Sequence, residues 1–521
     1  MFPKRKIKIT AAILTLLGVL MSATGARAEA LELRITASDG TAQNSFGGSV
    51  SIAGAYAIVG ARANDDNGAG SGAAYIFRRD GAVWIQQAKL TPSDGAPADG
   101  FGYSVSISGE FALVGAPFDD DDGVDSGSAY IFIRNGGMWM QQAKLKAADG
   151  AAEDRFGTSV SIAGEYALVG TPGDDDNGSG SGSAYVFQRD VTNWSGQAKL
   201  TAGDGAAEDR LGESVSLSDT YALLGAPGDD DNGSGSGAAY VFKRDVADWN
   251  EEAKLTADDG AAEDLLGASV ALSGAYALAG APGDDDHGSG SGAAYLFERD
   301  GIFWTEAQKL TANDGAAEDT FGVSVSIDGE SALIGTPGDD DHGSGSGAAY
   351  VFKRGVTDWG QQNKLTASDG AAGDLFGCCV SVSGGDVIAG AVNADYFGQD
   401  SGAAYVFFPE GIFGRLATDV TGTTGSPVVG ATIAIHGTAH TTVSDASGLY
   451  RFVDVAPGEY TLVITKPQFA RLTIPNISVT AGQLTVVDDQ ELTILNCDAD
   501  SDGALGIEDA INILQVQSGL R

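Results

Sequence analysis

Runs of three consecutive aspartates recur in the sequence and carry its clearest candidate chemistry. Four of these runs are followed by Asn or His and then by a glycine-rich segment, as in Asp229-Asp230-Asp231-Asn232-Gly233. Adjacent carboxylates repel one another unless a cation or water screens them, and oxygen ligands on a glycine-rich turn suit Ca²⁺. The alternative is a hairpin turn with solvated carboxylates. The first and third aspartates of four runs are the candidate ligands: Asp174, Asp176, Asp229, Asp231, Asp284, Asp286, Asp339 and Asp341.

A second acidic pattern lies near the end of the sequence. Aspartates stand at places 1, 3, 5 and 12 of a 12-residue loop, with glycine at place 6. This is the spacing of an EF-hand loop, in which oxygen atoms bind Ca²⁺. The last place resembles a dockerin repeat more than a calmodulin-type loop, and that resemblance implies a cohesin-like partner. The predicted ligands, including the carbonyl at place 7, are Asp498, Asp500, Asp502, Ala504 and Asp509.

A constant spacing of 55 residues organises most of the chain. Glycine preceded by Phe or Leu recurs seven times, from Gly47 to Gly377, and tyrosine recurs at the same step from Tyr75 to Tyr405. All six tryptophans keep this step as well. Seven registers without an insertion predict seven copies of one structural unit.

Each unit contains four short apolar runs separated by clusters of Gly, Asp and Asn, which favour turns. In the third unit the runs are 159–162, 166–170, 184–187 and 194–200. The fold class is therefore all-β, and four antiparallel strands repeated seven times predict a seven-bladed β-propeller. An open solenoid of hairpins is the alternative.

The two ends of the repeat region complement each other. The seventh unit lacks its last run, and residues 33–40 align with residues 363–370 near the other end of the region. We therefore expect the N-terminal strand to complete the last blade, which would leave no bare edge strand.

The repeats resemble a known family. Phe156-Gly157, followed by Gly170-Thr171-Pro172, is similar to the FG-GAP repeat of integrin α-subunit propellers and their bacterial relatives. The resemblance covers all seven units and implies an extracellular, Ca²⁺-stabilised binding protein. Integrin-like propellers hold Ca²⁺ through an Asp-x-Asp/Asn-x-Asp-Gly loop, whereas here glycine stands at the fifth place.

A different pattern of short alternating runs begins after the repeats and predicts a β-sandwich over residues 411–493. Its spacing is similar to that of carboxypeptidase regulatory-like domains, which share a fold with carbohydrate-binding modules. The resemblance implies a non-catalytic spacer or adhesive module. Tyr450 and Tyr460 are expected in its core or at its rim rather than on a sugar-binding platform. The dockerin-like segment follows over residues 494–521.

Residues 1–28 have the pattern of a secretory signal peptide. Basic residues up to Lys8 precede an apolar run, and Ala26-Arg27-Ala28 supplies a cleavage site. The run is shorter than the ~20 residues that a membrane-spanning helix needs, and no later segment is long and apolar enough. We expect an exported protein, secreted or at the cell surface, with the propeller over residues 29–410.

The charge and the repetition limit the function. The 71 acidic and 30 basic residues give a net charge of -41, which disfavours nucleic acid and anionic membranes as partners. Seven similar units offer the same residues, whereas catalysis needs different groups around one substrate. We expect a monomeric, non-catalytic adhesion protein that binds an extracellular protein or glycan. The alternatives are a docked accessory of a polysaccharide-degrading system and a polysaccharide-active enzyme.

Overall fold

The computed structural model describes residues 31–80, 83–246, 248–408, 411–418, 430–438, 440–444, 449–453, 455, 458–466, 472–479 and 484–492. These residues form strands and turns, and none of them lies in a helix. The predicted signal peptide and the predicted EF-hand segment lie outside the described residues. Seven four-stranded sheets cover the repeats, and two further sheets follow.

Each of the first three sheets is built from four consecutive strands of the chain. The opening strand is β1 (Leu31–Ile35). Sheet 1 consists of β2 (Phe46–Ala53), β3 (Tyr56–Ala61), β4 (Ala73–Asp80) and β5 (Val83–Leu90). Sheet 2 consists of β6 (Ser104–Ser108), β7 (Phe111–Ala116), β8 (Ser128–Asn135) and β9 (Met138–Leu145). Sheet 3 consists of β10 (Ser159–Ala163), β11 (Tyr166–Thr171), β12 (Ser183–Asp190) and β13 (Asn193–Leu200).

The remaining repeat sheets have the same antiparallel order. Sheet 4 consists of β14 (Ser214–Leu217), β15 (Tyr221–Ala226), β16 (Ala238–Asp245) and β17 (Asp248–Leu255). Sheet 5 consists of β18 (Ser269–Ser273), β19 (Tyr276–Ala281), β20 (Ala293–Asp300) and β21 (Phe303–Leu310). Sheet 6 consists of β22 (Ser324–Asp328), β23 (Ser331–Thr336), β24 (Ala348–Arg354) and β25 (Trp359–Leu365). Sheet 7 consists of β26 (Phe376–Ser383), β27 (Asp386–Ala391), β28 (Ala403–Phe408) and β1.

This repeated architecture is that of a β-propeller. In sheet 7 the first strand of the chain pairs antiparallel with β28 and places Arg34 opposite Tyr405. The fourth strand of sheet 3 pairs in the same register, with Lys199 opposite Tyr185. The N-terminal strand therefore supplies the missing fourth strand, as the displaced segment predicted.

Serine hydroxyls connect the innermost strands of neighbouring sheets. The N–H of Ile162 in sheet 3 donates to Ser106 Oγ in sheet 2 at 3.1 Å. The same bond, also 3.1 Å long, runs from the N–H of Ile52 in sheet 1 to Ser381 Oγ in sheet 7. Serine suits this position because its short side chain accepts a backbone hydrogen bond that an apolar residue would leave unmade.

The apolar core lies between adjacent sheets. Phe156 is fully buried, and its ring lies 5.6 Å from that of Tyr185 and 6.0 Å from that of Phe187. The glycine that follows, Gly157, has a φ of 97°, and a Cβ there would overlap the carbonyl oxygen of Ser128. The Phe-Gly pair thus places a large ring and a close backbone contact side by side where two sheets meet.

The last two sheets form a small sandwich with its own core. One sheet contains β29 (Gly411–Thr418), β32 (Leu449–Val453) and β35 (Leu484–Leu492). The other contains β30 (Thr432–Ile435), β31 (Thr441–Val443), β33 (Gly458–Thr465) and β34 (Leu472–Val479). Tyr450 is 2% exposed and belongs to this core, and the partly buried Tyr460 packs against the core. In the described ranges, no helix is long and apolar enough to cross a membrane.

Candidate functional site

Each acidic loop of sheets 2 to 6 surrounds a lysine from the fourth strand of its own sheet. In sheet 3 the ammonium nitrogen of Lys199 lies 2.6 Å from Asp176 Oδ2, 2.7 Å from Asp174 Oδ2 and 2.9 Å from Asp149 Oδ2. Asp174 and Asp176 belong to the loop after β11, whereas Asp149 lies in the link from sheet 2. One ammonium group therefore joins the two acidic segments at the same end of the sheet.

A tyrosine of the third strand completes this cluster. The hydroxyl of Tyr185 lies 2.6 Å from Asp149 Oδ1 and 3.1 Å from Asp174 Oδ2. Lys199 Nζ lies 5.3 Å from the centroid of the tyrosine ring. Because directly opposite residues of an antiparallel pair point to the same face, the pairing of Tyr185 with Lys199 directs both toward the loop.

Backbone amides hold two further carboxylate oxygens of the loop. The N–H of Asp176 donates to Asp174 Oδ1 at 3.2 Å, and the N–H of Gly180 donates to Asp175 Oδ1 at 2.7 Å. Ser181 Oγ donates to the carbonyl of Asp174 at 3.0 Å. The three aspartates are therefore folded into Asx-type turns in which most carboxylate oxygens already accept a protein donor.

The cluster recurs in four other sheets, with lysine–aspartate distances between 2.6 and 3.0 Å. In each, the lysine is mostly buried and the first aspartate of the loop is 5% exposed. The four clusters are Lys144 with Asp94, Asp119 and Asp121; Lys254 with Asp204, Asp229 and Asp231; Lys309 with Asp259, Asp284 and Asp286; and Lys364 with Asp314, Asp339 and Asp341.

Sheet 1 has a reduced form of the cluster. Asn64 stands where the loops of sheets 2 to 6 have their first aspartate. Lys89 still pairs with Asp39 in the link, at 2.7 Å, and with Asp66 in the loop. The ammonium group is thus retained with two carboxylates instead of three.

Sheet 7 replaces the cluster altogether. Ala394 and Tyr396 stand where the other loops have aspartates, and the cation is Arg34 of β1. The guanidinium carbon lies 3.9 Å from the ring centroid of Tyr396, and Arg34 also pairs with Asp369. The planar guanidinium stacks on an aromatic ring, which an ammonium group does less well. The cation and the loop thus change together.

The electrostatics of sheet 4 show how these groups stabilise one another. Burial by itself lowers the pKa of Lys254, but hydrogen bonds to Asp229 and Asp231 outweigh it and raise the pKa above 10.5. Burial raises the pKa of Tyr240 above 10.0. Burial would also raise the pKa of Asp204, but hydrogen bonds from Lys254 and Tyr240 bring it below 3.8. The fold therefore favours the charged forms of Lys254 and Asp204.

The aspartates predicted to bind Ca²⁺ in the propeller are thus brought together, but around an ammonium group. Ca²⁺ takes about 6 to 8 oxygen ligands at about 2.3–2.6 Å, and in sheet 3 the centre of the three carboxylates is occupied by Lys199 Nζ. Among the described residues no group of three or more His, Cys, Asp and Glu side chains is arranged to hold a metal. The donor set does not fit a divalent cation.

The sequence interpretation overlooked these lysines. The available signal was the constant 23-residue spacing between the third aspartate of a loop and the lysine, as from Asp176 to Lys199. The second predicted Ca²⁺ loop stays a prediction, because all its ligands lie outside the described residues: Asp498, Asp500, Asp502, Ala504 and Asp509.

One position at the start of the innermost strands differs in all seven repeats. It directly follows the repeated glycine, whereas the valine two places later is present in every copy. All seven residues are half-buried and lie at the acidic-loop end of the sheets. Packing against the neighbouring sheets therefore does not fix the residue type at this accessible position, so each sheet can offer a different side chain there. We call these residues the inner rim: Gly48, Tyr103, Thr158, Glu213, Ala268, Val323 and Cys378.

The first sector of the inner rim is aromatic and cationic. The guanidinium of Arg62 lies 5.3 Å from the ring centroid of Tyr103. The ring of Tyr103 meets that of Phe118 edge-on, with 5.7 Å between centroids. An exposed arginine beside two half-buried rings could contact an acidic or a planar group of a ligand.

The sector contributed by sheets 3 and 4 is charged. Burial raises the pKa of Glu213, and the positive charges of Arg210 and Arg155 partly oppose this shift. Both arginines are exposed. They lie on the end of the molecule that otherwise carries the acidic loops, so they offer local positive charge in an acidic setting.

Comparison with known proteins identifies the repeats. A family model described as the FG-GAP repeat matches residues 30–77, 84–132, 139–187, 194–242, 249–297, 304–352 and 359–407. The chain belongs to the FG-GAP repeat family. Each FG-GAP segment begins with the fourth strand of one sheet and ends in the third strand of the next, so each one spans a junction between sheets. The FG-GAP match implies an integrin-like β-propeller.

The sandwich has a match of its own. Residues 416–493 match the carboxypeptidase regulatory-like domain. The comparison of the whole chain with curated proteins finds no match. The family assignment therefore rests on the seven repeats.

Proposed function

We propose that this FG-GAP protein is an exported, non-catalytic binding protein that acts in adhesion or surface assembly. The inner rim carries the proposal, because near-identical repeats differ there in every copy. The ring of Tyr103 and the arginines beside the inner rim lie at the acidic-loop end of the sheets, where a ligand could contact several sheets at once. An extracellular protein or a glycan is the proposed ligand class, and the acidic balance of the chain disfavours nucleic acid.

The proposal includes a closed ring of seven blades. Two contacts between sheets 7 and 1 support closure, since each repeats a contact between consecutive sheets. One is the hydrogen bond between Ile52 and Ser381. Another is Cys379 Sγ, 2.9 Å from the carbonyl of Gly47, which replaces a serine hydroxyl used elsewhere. The pairing of β1 with β28 within sheet 7 also supports closure, because it joins the start of the repeat region to its last sheet. In a closed ring the inner rim surrounds the axis.

A binding survey with matched variants tests this function. The full chain would be immobilised and presented with purified cell-surface and matrix proteins and with neutral and acidic polysaccharides. The variant Arg155→Ser/Arg210→Ser removes the two positive charges beside Glu213 of the inner rim and is called the rim variant. It is compared with Arg78→Ser, because Arg78 lies near the other end of sheet 1. We expect a protein or glycan whose affinity falls at least tenfold in the rim variant only. Equal affinity in all three chains would contradict the proposal, and release of reducing sugar would contradict a non-catalytic role.

The second candidate is an accessory role in an extracellular polysaccharide-degrading system. The carboxypeptidase regulatory-like match favours it, since such sandwiches are similar to carbohydrate-binding modules. Tyr450 offers no platform for sugar because it is buried in the sandwich core. Glycan binding that survives the rim variant but is lost when residues 411–521 are removed would favour this candidate.

A further inference from the structure

We infer that the lysines of the fourth strands take the place of a divalent cation in the acidic loops, so that the propeller is held together without Ca²⁺. The resemblance to integrin-like propellers implies metal in these loops. The fourth strands of sheets 2 to 6 supply a cation of their own instead. The inference is independent of the proposed binding function.

The position of the ammonium group carries the first step. In sheet 5, Lys309 Nζ lies 2.6 Å from Asp286, 2.7 Å from Asp284 and 2.8 Å from Asp259. A Ca²⁺ ion bound by the same carboxylates would need to occupy nearly the same point. Two cations cannot share it, because their repulsion at this separation is large in a partly desolvated site.

The supply of oxygen ligands carries the second step. Asp284 Oδ1 accepts the N–H of Asp286, and Asp285 Oδ1 accepts the N–H of Gly290. Asp284 Oδ2 receives both the lysine and the hydroxyl of Tyr295 at 2.9 Å. Too few free oxygens remain for the six or more ligands that Ca²⁺ usually takes.

The balance of charge in the cluster does not demand a second cation. Three carboxylates face one ammonium group, yet Asp259 and Asp286 are 52% and 59% exposed. Water therefore screens these two charges. Asp284 is 5% exposed, and it is the carboxylate that most needs a protein partner.

The natural variation between sheets carries the third step. If a metal held the loops, a loop that lost two carboxylates would have no reason to change the residue on its fourth strand. In sheet 7, Ala394 and Tyr396 replace the aspartates, and arginine replaces lysine and stacks on Tyr396. The strand-four cation is thus adjusted to the loop, as expected if it is the loop's main partner.

Calcium dependence of stability tests the inference. The variant Asp498→Ala/Asp502→Ala of the full chain lacks two ligands of the predicted C-terminal Ca²⁺ loop. The thermal unfolding of this variant is followed in EDTA and in 5 mM CaCl₂. We expect the two midpoints to agree and calorimetric titration with CaCl₂ to detect no bound ion. A midpoint raised by several degrees in CaCl₂, or one or more ions bound per chain, would overturn the inference.

A lysine variant tests the other half of the inference. Lys254→Met should lower the unfolding midpoint by roughly 3 to 6 °C, whereas Lys353→Met should leave it nearly unchanged. Lys353 is a matched control because it lies on β24 and forms no ion pair with a described residue. If Lys254→Met fails to fold, Lys89→Met replaces it, since its cluster has two carboxylates instead of three. A midpoint equal to that of the control would overturn the inference.

Discussion

Lys199 and Asp174 form an ion pair at the acidic-loop end of sheet 3, with 2.7 Å between Nζ and Oδ2. The aspartate side chain is only 4% exposed. A carboxylate this far removed from water needs a protein partner, because an unpaired buried charge is strongly destabilising. Asp174 belongs to the loop after the second strand, and Lys199 to the fourth strand. One side chain therefore fixes the path of the loop, and the same arrangement is repeated around the propeller.

The tyrosine of the cluster should contribute measurably to stability. In sheet 4 the hydroxyl of Tyr240 lies 2.9 Å from Asp204 and 2.9 Å from Asp229. Tyr240→Phe leaves the buried Asp229 without one donor, so the free energy of unfolding should fall by about 1–3 kcal/mol. Urea unfolding measures the change. The control is Tyr221→Phe, because the Tyr221 hydroxyl makes no hydrogen bond to a described residue. Equal effects of the two variants would contradict the role of the hydroxyl.

Stability should fall in alkaline solution. The pKa values of Lys254 and Tyr240 are raised in the fold above 10.5 and 10.0. The unfolded chain therefore loses these protons first as the pH rises. The stabilisation is complete below about pH 10 and is lost above it, as the pH rises toward the folded values. Urea midpoints between pH 8 and pH 11.5 measure this, and a midpoint that stays constant to pH 11.5 would contradict the account.

The response to acid should be shallower, because two sets of aspartates oppose each other. The pKa of Asp204 is lowered, so its contribution is present above about pH 4 and is lost as the pH falls. Burial raises the pKa of Asp209 in the same link, so the fold favours its protonated form. A steep loss of stability between pH 6 and pH 5 would show that other groups dominate.

The glycines of the second strands should not tolerate a side chain. A Cβ on Gly225 would overlap the carbonyl oxygen of Gly267 in the neighbouring sheet. Because backbone cannot yield as a flexible side chain can, Gly225→Ala should cost more than about 3 kcal/mol or prevent folding. Gly196→Ala is the control, since that glycine is exposed on β13 with only a distant ring carbon nearby. Its unfolding free energy should stay within about 0.5 kcal/mol of the unaltered chain.

Removal of the first strand should open the propeller. A chain that begins at residue 37 lacks β1, which leaves β28 paired only with β27, bares its outer edge and leaves Asp369 without Arg34. The bared edge should promote association. Light scattering should therefore show oligomers and thermal unfolding a lowered midpoint. A chain that ends at residue 410 is the control, and monomeric behaviour of both chains would contradict closure by β1.

Much of the propeller follows from the sequence. The runs predicted in the third unit differ from β10, β11 and β13 by at most one residue at each end, because alternating burial or full burial marks these strands directly. Strand β12 extends three residues beyond the predicted run, to Asp190. The last three residues of β12 are polar, so no apolar pattern marks them as strand. They are in the strand because they pair with β13.

The candidate site could be predicted only in part. The aspartates were recognisable because they are adjacent in sequence, and local clustering of carboxylates is typical of cation sites. Lys199 is brought to them by the pairing of β12 with β13, and that register is not visible in the local sequence. The cation was therefore expected to be a metal, whereas the geometry supplies an ammonium group from the same sheet.

A crystal structure obtained with 10 mM CaCl₂ tests the central claim most directly. The account predicts Lys254 Nζ within about 3 Å of Asp229 and Asp231, and no anomalous peak for calcium in the acidic loops of sheets 2 to 6. A calcium ion bound by Asp229 and Asp231 at about 2.3–2.6 Å, with Lys254 displaced toward solvent, would contradict it.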